Sequence, residues 1–246
     1  MISTPYNYVS GGGGSFSPSD LSGLQLWLKA DALSLSNNDS VTTWTDSSGN
    51  GRDLTTAFAP TYKTSIVNSK PAVRFDGVHN ELSITANLAT TWGITNAFTV
   101  FIAMKNAGGT GTFRPIYQFN EGDTSNQLDL WYQYSDDTAY MGCGNLASGG
   151  RVSGSVTSNT NWMVVSGRRS GSSGDIWQDG VNVVTSSAYS DSLDSATASF
   201  KIGVNTAANW LAADIAEFIL YSGALTTTER RNVESYLGTK YAISMT

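Results

Sequence analysis

Along most of the chain apolar and polar residues alternate with a period of two, the spacing of a half-buried strand. Leu24, Leu26 and Leu28 point one way and Gln25, Trp27 and Lys29 the other, which predicts a strand. Shorter segments of the same kind are read at residues 41–45, 72–75 and 81–84, separated by turn residues such as "SNNDS" and "DSSGNG". Residues 98–104 set Phe98, Val100, Ile102 and Met104 against Thr99, Phe101 and Ala103. That stretch is apolar on nearly both faces and predicts a central strand. Residues 114–119, 127–134 and 138–142 read as a meander, and 161–167 as another core strand. "IWQDGVNVV" reads as a hairpin with Asp179-Gly180 as its two-residue turn. Turn signals at this density predict a two-sheet antiparallel sandwich.

The end of the chain changes period. Residues 215–221 are apolar on both sides, with Ala216, Phe218 and Leu220 expected on one face and Ile215, Ile219 and Tyr221 on the other. Ser222-Gly223 ends that strand. Thr226 then stands three residues before Glu229, the spacing of a capping box. Val233, Tyr236, Leu237 and Tyr241 follow at helical spacing, so a short amphipathic helix is predicted. Glu217, inside the apolar strand, needs a partner. The expectation is a structural one, with backbone N–H groups or an arginine such as Arg74.

These residues resemble a known family. "IAEFILYSGAL" with "TTTERRNVESYLGTKY" is similar to the end of bacterial and phage concanavalin A-like (laminin-G-like) jelly-roll domains, through Ile215, Ala216, Glu217, Tyr221, Leu225, Glu229, Arg230, Tyr236, Leu237, Lys240 and Tyr241. "GLQLWLKADAL", "VTTWTDSSGNGRDL" and "KPAVRFDG" resemble its beginning, in the same order. The resemblance covers residues 20–243 or so. It implies an all-β fold, a two-sheet antiparallel jelly-roll sandwich with a short C-terminal helix, over residues 20–246. It implies no single function, because that fold carries lectins, glycanases and scaffolding alike.

Composition narrows the choice. Of 246 residues 40% are hydrophobic and 11% aromatic, enough for a large core, while only 14% are charged, so the polar surface is mostly Ser, Thr, Asn and Gly. The net charge of −6 with 14 Lys and Arg gives no basic stripe for phosphates. Neither nucleic acid nor a membrane is expected as a partner. The pairs Arg168-Arg169 and Arg230-Arg231 read as solvated surface. The single cysteine, Cys143, excludes an internal disulfide and reads as a small buried residue. No basic segment followed by an apolar one opens the chain, so no signal peptide is expected.

Residues 1–19 differ from the rest. Gly11–Gly14 read as a flexible link, and Tyr6, Tyr8, Val9 and Phe16 are the candidate anchors if the arm docks on a partner.

The sequence offers candidates for hydrolysis, for metal binding and for sugar binding. Glycosidic hydrolysis needs two carboxylates about 5–9.5 Å apart; the glycanases of the resembled family carry E-x-D-x-x-E on one strand, and this chain has no such triplet. Glu121 and Asp123 lie in a turn, and Asp214 and Glu217 are expected on opposite faces. A serine hydrolase would have to use His79, the single histidine. Asp46, Ser48 and Asn50 alternate like the start of a calcium loop, with Asp53 as a substitute ligand, but Ala57 stands where the bidentate glutamate belongs. The favoured reading there is a self-bonded turn; no cofactor is expected, with calcium the alternative. For sugar binding, Trp131, Tyr132, Tyr134, Asp136 and Asp137, together with Trp210, offer aromatic faces and polar groups. The leading expectation is a non-enzymatic phage virion protein, a capsid decoration or head/tail fibre protein on the virion surface. It would dock on other virion proteins by its arm, form a homo-oligomer and display a lectin-like sandwich to glycans. The alternative is a carbohydrate-binding module of a bacterial surface or exported protein.

Overall fold

The computed structural model describes residues 15–107, 115–120, 125–133, 137–146, 149–156, 160–186, 189–204 and 209–246. It is a two-sheet antiparallel jelly-roll sandwich, each sheet of eight strands, closed by one long C-terminal helix. The first sheet takes β1 (Leu24–Lys29), β4 (Thr61–Val67), β5 (Lys70–Asp76), β7 (Ala97–Asn106), β12 (Met163–Ser170), β13 (Ser173–Gln178), β14 (Val181–Ser186) and β16 (Ala212–Tyr221). Across the sheet these run β14-β13-β12-β7-β16-β5-β4, with β1 beside the later half of β16. The second sheet takes β2 (Thr43–Trp44), β3 (Leu54–Thr55), β6 (Leu82–Ala86), β8 (Pro115–Phe119), β9 (Gln127–Trp131), β10 (Thr138–Gly144), β11 (Arg151–Ser155) and β15 (Ala198–Ile202). Its order is β11-β10-β9-β8-β15-β6-β3-β2. A four-residue helix, α1 (Leu88–Thr91), starts on an Asn87 cap, and α2 is Thr227–Tyr241.

Local chemistry explains these elements. In α2 the Thr226 hydroxyl accepts from the Glu229 N–H while the Glu229 carboxylate accepts from the Thr226 N–H, so two orphan donors of the first turn are satisfied together. The β13–β14 hairpin turns on Asp179 (φ 51°) and Gly180 (φ 84°), both left-handed as a type I′ turn requires. A side chain at Gly180 would also run into the Thr246 carbonyl, 2.5 Å from where its Cβ would stand.

Two apolar layers result. Between the sheets lie Leu26, Trp44, Phe98, Ile102, Tyr117, Phe119, Phe200, Phe218 and their neighbours. On the outer face of the first sheet, Val233, Leu237 and Tyr241 of α2 close over Phe101, Ala103, Val164, Ala216, Ile219 and Tyr221. Each such side chain contributes about 1.5–3 kcal/mol by leaving water. So β16 is covered on both sides, as its sequence predicts.

Its alternation differs from expectation at one point. Ile215 pairs with Met104 but Glu217 with Ala103, so Ala216 is an extra residue in a bulge. The bulge puts Ile215 with Phe218 and Leu220 in the inner core and turns Ala216 to the helix side with Ile219 and Tyr221. Asp214 and Glu217 therefore share the outer face instead of opposing each other. Glu217 is fully buried and does not meet Arg74. It accepts from Trp27 Nε1 (2.5 Å), Tyr236 OH (3.1 Å), Tyr241 OH (2.7 Å) and Lys240 Nζ (2.7 Å). The role is structural, as expected, with a different partner.

The surface reading of the arginine pairs holds for exposed Arg231 and is corrected for one member of each pair, Arg168 being half-buried beside Asp175. Arg169 is 2% exposed and spends its guanidinium on the carbonyls of Cys143, Gly171 and Asp191, over the Tyr189 ring. Arg230 is 3% exposed, paired with Glu234 and stacked on Trp177. A planar fork with five donors can satisfy carbonyls that face the core, which a surface reading overlooks. Cys143 is buried, its thiol pushed up to about 11 by that burial, and it donates to the Thr95 carbonyl.

Candidate functional site

An open cleft of about 540 Å³ lies at the edge of the first sheet where β7 and β5 end and β16 begins. Sheet order builds it. Lys105 is opposite Asp214, and Asp214 is opposite Arg74, so three strands lay a cation, a carboxylate and a second cation in one row. Arg74 grips Asp214 with both teeth of its fork, Nε to Oδ1 at 2.6 Å and Nη2 to Oδ2 at 2.8 Å. Hydrogen bonding to Asp214 raises the pKa of Arg74, against the burial that lowers it. Among the described residues Lys105 makes no ion pair and no side-chain hydrogen bond.

Asp76 forms the next wall. Its Oδ1 accepts from the N–H groups of Val78 (2.8 Å), His79 (3.1 Å) and Asn80 (3.3 Å), and His79 Nδ1 lies 3.6 Å from Oδ2. Burial alone would raise this carboxyl; the three N–H groups and His79 hold it below its ordinary value instead. Gly77 (φ 76°) lets the loop turn so close to β16 that a Cβ there would meet Ala212 Cβ at 2.8 Å. The loop presents exposed apolar surface: Val78 is 62% exposed, and Phe58, 54% exposed, meets His79 edge-on at 6.2 Å. At the floor, Asn106 is fully buried and donates to Gln133 Oε1 at 2.5 Å, tying the end of β7 to the chain leaving β9. No residue of α2 lines the cleft.

The fold has known counterparts. Domain 4 of AbnA, a GH43 extracellular arabinanase from Geobacillus stearothermophilus solved in complex with arabinotriose, matches with a TM-score of 0.64 at 18% identity, over 89% of this chain and 98% of that domain. Trypanosoma rangeli sialidase in complex with sialic acid matches at 0.63 and 16% identity, over 98% of this chain and 36% of the sialidase. The binding domain of botulinum neurotoxin DC in complex with SialylT matches at 0.62 and 10% identity, over 88% of this chain and 52% of that chain. This chain thus spans nearly all of the arabinanase domain but about a third of the sialidase and half of the neurotoxin domain. At such identities the likeness is one of fold. No protein-family model matches the chain, and no curated protein matches it in sequence.

The residues expected to bind sugar do not converge. Trp131 is 6% exposed on the outer face of the second sheet, opposite Tyr140. Tyr132 belongs to the core between the sheets, with its OH on Gln178 Oε1 at 2.5 Å, so it is withdrawn from any binding surface. Gln133 does not continue the Trp131 face. Its φ of 56° ends the alternation and turns its side chain to Asn106. Asp137 is half-buried at the entry to β10, and its carbonyl accepts from Val156 N–H at 2.7 Å. Tyr134 and Asp136 lie outside the described residues, as do Glu121 and Asp123. Trp210 is half-buried, bridged to Val204, two residues ahead of Ala212 at the cleft.

The calcium-like loop is spent on the chain itself. Asp46 accepts from Trp27 N–H, Ser48 N–H, Ser48 Oγ and Arg52 N–H, and Asp53 accepts from Asp46 N–H. The Asn50 amide donates to the carbonyls of Leu24 and Gln25 and to Ser48. The loop thereby staples β1 to β2, a self-bonded turn. Among the described residues no three His, Cys, Asp or Glu are grouped to hold a metal. Of the anchor residues, Tyr6, Tyr8 and Val9 lie outside the described residues; Phe16 packs edge-on against Tyr236 at 6.4 Å, within the chain.

Sequence reasoning missed the cleft because its residues come from positions 74–76, 105–107, 160 and 212–214. The available signal was charge: Arg74, Lys105 and Asp214 each interrupt an apolar strand near its end.

Proposed function

We propose that this domain is a non-catalytic glycan-binding module whose contact surface is the cleft at Lys105, Asp214 and Arg74. The observation that carries the reading is an open groove whose polar groups are fixed by the sheet yet keep hydrogen-bonding capacity, with half-buried Trp210 two residues before Ala212 of its lining and exposed Phe58 on His79 of the loop that follows Asp76. Sugars are held by this combination of oriented polar groups and an apolar edge. The likeness to almost the whole of an arabinanase domain solved with arabinotriose supports it.

Hydrolysis is a poorer fit. Of the two carboxylates on the cleft, Asp214 has both oxygens held by Arg74, and Asp76 is kept ionised by three N–H groups. A general acid needs the opposite, a carboxyl held protonated. A glycan array followed by calorimetry tests the reading. Specific binding that falls with Lys105→Gln or Trp210→Ala supports it; silence across the array, or turnover of a polysaccharide lost on changing Asp76 or Asp214, overturns it.

A second, compatible reading concerns attachment. Phe16 and Pro18 are fixed on the body beside α2, Pro18 through its carbonyl on Tyr221 OH at 2.8 Å. In the sequence, the glycine run at residues 11–14 separates this fixed point from Tyr6, Tyr8 and Val9. This favours a module displayed on a larger assembly, a virion or a bacterial surface, in one or several copies. Deleting residues 1–14 should leave the unfolding temperature unchanged and abolish incorporation; normal incorporation would refute the attachment role.

A further inference from the structure

We propose that the cleft selects acidic glycans, taking the carboxylate of a uronic or sialic acid between Lys105 and the outer edge of Arg74. The inference rests on the glycan-binding reading above and adds the ligand's charge.

The reasoning is an inventory of hydrogen-bonding capacity. Asp214 has each oxygen engaged by Arg74, and Asp76 turns Oδ1 to three backbone N–H groups and Oδ2 toward His79. The Asp214 carboxylate in the middle of the row is thus already served, while the side-chain acceptors left without a hydrogen bond among the described residues are Asp76 Oδ2 and the buried Oδ1 of Asn106. The donors of the row are not served. Lys105 brings an ammonium with three donors and no ion pair among the described residues. Arg74 grips Asp214 through Nε and Nη2, which leaves Nη1 outside the pair on a side chain 46% exposed. Two cations in one row share one carboxylate, and that carboxylate is committed to Arg74. A ligand that complements such a wall supplies acceptors, and an anionic acceptor gains most because charge-assisted bonds are roughly twice as strong as neutral ones. The whole chain carries −6, so this local excess of donors works against the general repulsion of anions and marks a specific spot.

The test compares matched pairs that differ in the carboxylate: trigalacturonate with its methyl ester, and 3′-sialyllactose with lactose. The full chain is titrated with each by calorimetry at low and at raised salt. The acidic member of at least one pair should bind roughly tenfold or more tightly, as expected for one charge-assisted contact in a solvated groove. That preference should shrink with salt and vanish in Lys105→Gln, a half-exposed change that leaves the Arg74–Asp214 pair intact. Which pair responds tells the uronate source from the sialate source. Equal binding of acidic and neutral members, or an acid preference untouched by Lys105→Gln, overturns the inference while leaving glycan binding standing. If none of the four ligands binds but the array returns a neutral glycan at this cleft, the charge selection is refuted and the module reading survives. If the array is silent as well, both fall together.

Discussion

Two acids three residues apart on β16 have opposite fates. Glu217 lies under the last turn of α2, fully buried, with Trp27, Tyr236, Tyr241 and Lys240 all directed at it. Asp214 lies on the same outer face at the start of the strand, where no helix residue covers it, and a single half-exposed arginine holds it. The bulge at Ala216 brings both to one side. Where α2 sits, the outer face is a second core in which each polar atom of the acid is answered from within. Where α2 stops, the same strands carry a charged row, with Asp214 buried between exposed Arg74 and half-buried Lys105, and with donors to spare. One sheet thus serves stability along its middle and, in the proposed reading, recognition at its end.

The comparison can be broken by variants, in falling order of effect. Glu217→Ala strips four donors of their acceptor and should cost about 3–5 kcal/mol, as removing one partner of a buried pair does. Denaturant unfolding measures it; a loss below about 1 kcal/mol would show that the cluster is not the keystone of the helix side. Alkaline pH attacks the same region. Burial first, then the Glu217 charge, raises the pKa values of Tyr236 and Tyr241 far above the ordinary tyrosine value, and burial raises Cys143 to about 11. For these acids the unfolded chain loses its proton first. Their contribution is whole below the unfolded pKa values, about 8.5 for cysteine and 10 for tyrosine, and is lost as pH rises beyond them. Absorbance should therefore report ionisation of the buried tyrosines, Tyr236 and Tyr241 among them, in a cooperative step with unfolding above about pH 10, and Cys143 should resist alkylation until that step. Asp214→Ala should cost only about 1 kcal/mol, since Arg74 can turn to water, while distorting the cleft. Lys105→Gln should leave stability within about 0.5 kcal/mol of the parent and affect binding alone.

Much of the framework was legible in the sequence, because local signals decide it. The Thr226–Glu229 cap, the Asp179-Gly180 turn, the central place of β7 and the buried Cys143 are each written in neighbouring residues. The bulge was not legible, since Ala216 is apolar like its surroundings and one extra residue leaves no local mark. Nor was the burial of Arg169, whose acceptors are the carbonyls of Cys143 and Asp191, far along the chain. The site was the least legible part. The aromatic run around Trp131 drew attention as a binding face, but alternation put Tyr132 in the core and a left-handed Gln133 broke the pattern. The cleft itself exists only once β7, β16 and β5 lie side by side.

The most direct test is to map a bound glycan on the folded protein. Amide chemical shifts of the isotope-labelled chain, recorded while trigalacturonate or 3′-sialyllactose is added, should move at Lys105, Arg74, Asp214 and the loop from Gly77 to Asn80, with the α2 amides still. Shifts centred on Trp131 and Tyr140 across the outer face of the second sheet, or no shifts with any glycan that the array selects, would contradict the cleft as the place where this domain works.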